Sequence, residues 1–361
     1  MQHRMSAKCP ELRTDWLTGR TVVVAENRAL RPNEFAIEEN GDATARAATN
    51  PELAGAECSD SAEVPNCPFC IGNEWKTPPA LYEKQDGNNR WRVRVVPNMF
   101  PALMSEAHGE VSESGASQPR EPVVKSVLPA LGAHEVIIEA ARHIDRTSDL
   151  SQEELRDVLE AYAQRLRHWR ENGRYIYGLV FKNQGARAGA SISHLHSQFV
   201  AMPAVPRCVE AELRRAAEEF REQRFCPYCR WIEREQSFER RLVVERDGFL
   251  AFCPLASLQP FEAWLMPLDH EASFERTAGG ALQRLAGVMH ELLGKLEAQI
   301  PHAAYNLLLR TAPFSPRLDA WYHWRIELLP RIHAIAGFEI ATGVHINPLA
   351  PERAAAKLRQ G

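Results

Sequence analysis

His194-Leu195-His196-Ser197-Gln198 sets two imidazoles and an amide at alternate positions. Ser191-Ile192 before it and Phe199-Val200-Ala201-Met202 after it make the segment read as a strand. Residues two apart on a strand share a face, whereas a helix would turn the two imidazoles about 200° apart. His194, His196 and Gln198 therefore project together, as either an ordinary polar strand face or a site. Two C-P-aromatic-C pairs, Cys67-Pro68-Phe69-Cys70 and Cys226-Pro227-Tyr228-Cys229, use half of the eight cysteines. In a long chain of this kind, C-x-x-C indicates zinc or redox chemistry rather than structural disulfides. A redox motif usually occurs once, and two similarly set copies favour two metal knuckles.

Each pair needs two more ligands to close a tetrahedral zinc site. His143 and His194 are the candidates for the first pair, His270 and His323 for the second, at almost the same separation. A Cys₂His₂ site has no open position, so two structural Zn²⁺ ions are the expected cofactors. With His194 on metal, His196 is left free. A neutral imidazole, with a reference pKa near 6.5, is a good nucleophile toward phosphorus. One ring nitrogen must then present a lone pair while the other donates to a fixed carbonyl. Gln198 is placed to donate its amide to a phosphate oxygen as charge shifts. Attack on a nucleotide's α-phosphorus would give a covalent histidyl-nucleotide. The loop Asn183-Gln184-Gly185-Ala186-Arg187-Ala188-Gly189-Ala190-Ser191 suits phosphate contacts, since its glycines permit close backbone approach and Ser191 adds a hydroxyl. Arg28 and Arg31 are further candidates for phosphate or base contacts, or else solvated surface.

The elements that must position these groups follow from the rest of the chain. The 361 residues suit two domains of similar size, 12–205 and 206–361. A net charge of −4 argues against general nucleic-acid binding. No apolar run reaches membrane-spanning length, and the N-terminus lacks the apolar core of a signal peptide, so a cytoplasmic location with no membrane partner is expected. Strands are expected at 21–25, 92–96, 135–139 and 176–181, with 12–20 a turn-rich lead. Residues 38–65 and 105–122 read as exposed insertions. Ser151-Gln152-Glu153-Glu154 is a capping box for a long helix that stops at Asn172-Gly173. The second half repeats the order: knuckle, strands near 242–245, 249–252 and 261–266, a helix over 274–298, strands at 305–310 and 323–329, and a terminal helix at 351–359. The expected fold is α+β, a duplicated unit of antiparallel sheet with packed helices.

From about Leu12 to Arg359 the chain resembles the galactose-1-phosphate uridylyltransferase family, a duplicated branch of the histidine-triad superfamily. Asn183-x-Gly185-Ala186-x-x-Gly189-x-Ser191 followed by His194-x-His196-x-Gln198 resembles that family's active-site segment. The resemblance implies that His196 is the nucleophile, His194 a zinc ligand and Gln198 the contact to the nucleotidyl phosphate. It implies substrate contacts for Asn183 and Ser191, and nucleotide contacts for Arg28, Arg31 and Asn98. It also implies nucleotide-sugar and sugar-phosphate substrates, and a homodimer whose shared site includes Phe338 and Glu339. There are departures. Leu195 and Ser197 stand where the family has H-P-H-G-Q, Met99 follows Asn98 where an acidic residue is usual, and Glu327 and Leu329 replace a later His-x-His. The second C-x-x-C and the ending Gly337-Phe338-Glu339-Ile340-Ala341-Thr342-Gly343-Val344-x-Ile346-Asn347-Pro348 are more similar to the ADP-glucose phosphorylase-like branch. The expected reaction is transfer of UMP from a UDP-hexose to a hexose 1-phosphate. The alternatives are AMP transfer from ADP-glucose to phosphate, hydrolysis of dinucleoside polyphosphates, or a zinc-stabilised nucleotide-binding protein without turnover.

Overall fold

The computed structural model of the chain describes residues 10–26, 28, 66–105 and 130–361. Arg31, the expected insertion at 38–65 and all but the first residue of that at 105–122 lie outside them. The lead read as turns begins as strand: β1 (Glu11–Thr14) pairs antiparallel with β2 (Thr21–Val24). The Asp15 carboxylate takes the N–H groups of Leu17 and Thr18 and so holds the bend between them.

After the first knuckle come β3 (Tyr82–Gln85), β4 (Trp91–Pro97) and β5 (Ala133–Ile138). Helix α1 (Gln152–Asn172) starts on the expected capping box, in which Ser151 Oγ accepts from the Glu154 N–H and Glu154 Oε2 accepts from the Ser151 N–H. It stops at Gly173 in the left-handed conformation, φ 70°. β6 (Tyr177–Gln184) and β7 (His196–Met202) close the first half.

The second half opens with two helices that the sequence analysis did not anticipate, α2 (Arg207–Gln223) and α3 (Pro227–Phe238). α3 begins inside the second knuckle because Pro227, fixed in φ and lacking an N–H, suits a helix's first turn. Then follow β8 (Leu242–Arg246), β9 (Phe249–Phe252) and β10 (Ala263–Pro267). The helix expected over 274–298 is a short 3₁₀ turn, Phe274–Arg276, and then α4 (Gly280–Gln299), separated at Gly279 with φ 52°. β11 (Tyr305–Arg310), β12 (Arg325–Pro330), α5 (Gly337–Thr342), β13 (His345–Asn347) and α6 (Pro351–Leu358) complete the chain.

Ten strands form one antiparallel sheet in the order β3-β4-β5-β7-β6-β11-β12-β10-β9-β8. The order is a mirror: each half supplies five strands, and β6 pairs with β11 at the seam. The class is the expected α+β. One sheet face, through Val95, Ile137, Val180, Phe199, Leu265, Leu307 and Ile326, packs on α1 and α4 in the main apolar core. The opposite face carries the knuckles. Cys67, Phe69 and Cys70 cluster with Val96, Val136 and Ile138, while Cys226 and Trp231 cluster with Leu250, Phe252, Trp264 and Met266. β13 joins β2 in parallel to make a separate three-stranded sheet.

Candidate active site

The face opposite the helices holds the residues singled out by their spacing. β7 starts at His196, not at His194. His194 sits in the bend before it, where the Leu195 N–H donates to Ile144 O and the Leu195 carbonyl accepts from the Glu139 N–H. That bend turns His194 to the first knuckle. Its Nδ1 lies 3.4 Å from Cys67 Sγ and 3.6 Å from Cys70 Sγ, and His143 Nδ1 lies 3.5 Å from Cys70 Sγ. A zinc ion with ordinary Zn–S and Zn–N lengths has tetrahedral S···N edges of about 3.5 Å. The four donors therefore fit that ion. His194 Nε2 donates to Ala140 O at 2.8 Å, which leaves the Nδ1 lone pair facing the thiols. Burial pushes the His194 imidazole down to about 4, so it is neutral, as a ligand must be.

At the second knuckle Cys226, Cys229 and His270 come together, with His270 Nδ1 3.2 Å from Cys229 Sγ. His323, the expected fourth ligand, is not gathered into that cluster. Its ring stacks on His270 with centroids 5.6 Å apart, and its buried Nδ1 has no hydrogen-bond partner. Its Nε2 donates to Pro267 O at 3.0 Å, as His194 does to Ala140. The donor chemistry fits a metal here also, with the orphaned Nδ1 beside it.

His196 is buried, 8% exposed, under Phe69, whose ring centroid lies 5.4 Å away. Its Nδ1 donates to the His194 carbonyl at 2.8 Å, so Nε2 keeps the lone pair. Burial lowers its pKa, which keeps the ring neutral near pH 7. Gln198, two residues on, shares this face, and its Oε1 lies 2.8 Å from His134 Nε2. Asn98 reaches the same spot from the end of β4, its Nδ2 3.2 Å from His134 Nε2 and its Oδ1 accepting from the Phe100 N–H. Extending the β6–β7 register, in which Phe181 faces Gln198, sets Asn183 opposite His196. The loop after it is a 3₁₀ turn, exposed except at Ala188, between Gly185 (φ 78°) and Gly189 (φ 92°), conformations that side chains other than glycine resist. Ser191 is exposed on the same loop. Histidine, amides and glycine loop are thus set close together, an arrangement that can offer a lone pair and donors to an anion.

Behind β7, on the helix side, Ser197 lies in a buried polar group that no spacing announced. The Glu139 carboxylate accepts from Lys182, Ser197 and Tyr162, the last at 2.7 Å. Arg28 and the α5 residues Phe338 and Glu339 stand elsewhere. Arg28 is exposed just after β2, in the three-stranded sheet, and α5 precedes β13 of that sheet with none of its residues buried. Among the described residues no hydrogen bond, ion pair or ring contact joins them to His196.

A family model described as the galactose-1-phosphate uridyl transferase N-terminal domain matches residues 1–206. An ADP-glucose phosphorylase of Arabidopsis thaliana is 32% identical over 97% of this chain and 93% of its own length. A crystal structure of an Arabidopsis ADP-glucose phosphorylase with bound ADP-glucose superposes with a TM-score of 0.79 at 30% identity, covering 98% of this chain and 99% of that one. A galactose-1-phosphate uridylyltransferase of Thermotoga maritima is 26% identical over 81% of this chain and 89% of its own. The chain belongs to the galactose-1-phosphate uridylyltransferase family. Its members in these comparisons are named as uridylyltransferases and a phosphorylase, which supports an enzyme here. Within the family fold, two site residues escaped the sequence reading. His134 sits on β5, whose Val136 pairs with Gln198, and Asn306 on β11 pairs with Asn183. Their only sequence signal is period-two placement on strands whose pairing was not yet known. Among the described residues no helix is long and apolar enough to cross a membrane.

Proposed function

We propose that this chain is a nucleotidyltransferase that carries a nucleoside monophosphate on His196 Nε2. One observation carries the reading: the Nδ1–H bond to the His194 carbonyl leaves the Nε2 lone pair on the face shared with Gln198 and flanked by the glycine loop. In the first half-reaction Nε2 attacks the α-phosphorus of a nucleotide sugar. The P–N bond forms as the P–O bond to hexose 1-phosphate breaks, and the Nδ1 proton stays on the ring, hydrogen-bonded to the His194 carbonyl. Gln198, Asn183 and Ser191 donate to the phosphoryl oxygens. In the second, an oxygen of a phosphate acceptor attacks, the P–N bond breaks and the neutral imidazole returns. Zinc, held by Cys67, Cys70, His143 and His194, would fix the carbonyl that orients His196. A second ion would be held by Cys226, Cys229 and His270 beside His323, with a structural role.

Two donor–acceptor pairs are the candidates. The sequence put UDP-hexose with hexose 1-phosphate first. The Arabidopsis relative, similar along nearly the whole chain where the Thermotoga one covers 81%, supports ADP-glucose with inorganic phosphate as the pair to test first. We extend the proposal to a cytoplasmic homodimer of two-domain chains, 12–205 and 206–361. The exposed Phe338 and Ile340 of α5 support pairing, which would bring Glu339 and the Arg28 sheet to a partner's site. The test is incubation with α-³²P-labelled ADP-glucose and UDP-glucose. Acid-labile label is expected on the wild type and none on His196→Ala. Chasing with phosphate or with hexose 1-phosphate names the acceptor. No label from either donor refutes nucleotidyl transfer and leaves a binding protein.

A further inference from the structure

An amide presents two ends of similar shape and opposite polarity. Turned one way, Gln198 and Asn183 offer N–H donors to a phosphate; turned the other, they offer carbonyl oxygens that repel it. Something outside the substrate must therefore set each amide before binding.

For Gln198 that setting traces back to a backbone group. The Ala102 N–H donates to His134 Nδ1 at 3.0 Å. A backbone N–H cannot become an acceptor, so Nδ1 holds the lone pair and Nε2 carries the ring proton. The alternative tautomer would set two hydrogens against each other at Ala102. Two amides face Nε2, but Asn98, whose oxygen is taken by the Phe100 N–H, turns an NH₂ there at 3.2 Å and cannot accept. The ring proton therefore goes to the nearer neighbour, Gln198 at 2.8 Å, which must present Oε1. The Gln198 NH₂ is left for the site.

Asn183 is set in the same way from across the seam. Asn306 Nδ2 lies 2.9 Å from the Ala188 carbonyl and 2.8 Å from Asn183 Oδ1. A carbonyl cannot donate, so Asn306 must turn its NH₂ toward both oxygens, and both hydrogens are used. Asn183 therefore gives its oxygen to Asn306 and faces its NH₂ toward the glycine loop, 3.8 Å from where a Cβ on Gly189 would stand. Asn306 belongs to β11, the first strand of the second half in this sheet.

We infer that His134 and Asn306 are positioning residues which hold the Gln198 and Asn183 amides with their NH₂ groups toward the transferred phosphate, an assignment that rests on the nucleotidyl-transfer reading. Neither touches substrate; each acts by the polarity it imposes on its neighbour.

Polarity separates this role from mere packing. His134→Gln keeps a donor near the Nε2 position, whereas His134→Glu has nearly the same shape and only acceptors. Asn306→Asp is isosteric but turns acceptors toward Asn183, whereas Asn306→Ala imposes nothing. The readout is the single-turnover rate of histidine labelling at saturating donor nucleotide, with melting temperature and zinc content measured beside it. His134→Gln should stay within about tenfold of the wild type. His134→Glu should load about 10²-fold more slowly than His134→Gln, and Asn306→Asp more slowly than Asn306→Ala. A packing role predicts the reverse order at position 306 and no difference between the pair at 134. Wild-type labelling with Glu equal to Gln at 134, or with Asp milder than Ala at 306, overturns the inference alone. Failure of the wild type to label overturns the reading beneath it. Should Asn306→Asp not fold, the pair at 134 decides.

Discussion

Replacing Lys182 by methionine tests the polar group behind the H-x-H strand. Lys182 and Glu139 are each 2% exposed and paired with one another. Burial alone would raise the Glu139 carboxyl. The charge and hydrogen bond of Lys182, with the Ser197 and Tyr162 hydroxyls, outweigh it and hold the group below its ordinary value. Lys182→Met keeps the apolar stem and leaves a buried carboxylate with two hydroxyl donors and no counter-charge. Breaking a buried pair from one side costs about 3–5 kcal/mol. Glu139→Gln made in the same chain removes the stranded charge while retaining hydroxyl partners, so the double variant should recover most of the loss, with a coupling of roughly 2 kcal/mol or more. The pH dependence adds a sign. In the wild type the folded Glu139 value lies below the unfolded one, about 4.3, so its contribution is present above that pH and lost as pH falls through the folded value. In Lys182→Met burial prevails and the folded value rises above the unfolded one. Protonation then favours the fold, and the deficit shrinks by up to about 1.4 kcal/mol per unit as pH falls from 7 toward the unfolded value. Urea unfolding of the wild type, both single variants and the double variant, at about pH 7.5 and about pH 5.5 with zinc held constant, measures both quantities. A coupling under about 1 kcal/mol, or a Lys182→Met deficit that is constant or larger at the lower pH, refutes the reasoning.

Metal analysis should find about two zinc ions per chain, falling by one in Cys70→Ser and by one in Cys226→Ser. Only Cys70→Ser should also slow histidine labelling, because only the first cluster holds His194 and the carbonyl to which His196 donates. Acid should act at the first cluster and beside the second: burial sets His194 at about 4 and His323 at about 3, each below the unfolded value near 6.5. The unfolded chain then binds more protons, so this stability stands in full above about pH 6.5 and is lost as pH falls toward those folded values. A melting temperature that is flat or rising below about pH 6.5 would contradict it. The same burial lowers His196, so the acid limb of the labelling rate should fall below the ordinary imidazole value rather than on it.

The period-two spacing of His194, His196 and Gln198 was readable because strand geometry is local. It failed by two residues at one end, where a bend turns His194 to the cysteines before β7 begins. The capping box at Ser151 and the stop at Gly173 set α1 from nearest neighbours alone. α2 was missed although Val209, Leu213, Ala216 and Phe220 follow helical spacing, and that face buries little: only Val209, Glu212 and Ala216 of the helix are buried. His134, Glu139, Lys182 and Asn306 were illegible for another reason. Each matters through a partner on a different strand, and strand order and register are tertiary facts. Val136 pairs with Gln198, and Asn306 with Asn183, only once the sheet has formed.

The mirror in the sheet also sets the half that carries the proposed nucleophile beside one that does not. In the second half β12 stands where β7 stands in the first, and His323, Arg325 and Glu327 fall in the places of His194, His196 and Gln198. His323 keeps the carbonyl bond of its counterpart. Arg325 does not keep the chemistry. It is fully buried, forks onto Glu212 at 2.7 and 3.1 Å, pairs with Glu327 at 2.7 Å and lies 4.5 Å over the Trp264 ring. A guanidinium has no lone pair to offer at any accessible pH. Glu327 is in turn held by Arg20 at 2.6 Å, and Arg310 lies 3.4 Å from it, so the equivalent face is filled by an ionic lattice. The second half is nonetheless not a passive copy. β11 pairs with β6 along the strand that carries Asn183, and Asn306 fixes that amide from across the seam. A first half cut away at the seam would keep His196, Gln198 and the four donors of its knuckle, yet lose what orients Asn183. At the seam, then, the half without the proposed nucleophile sets the polarity of the half that has it.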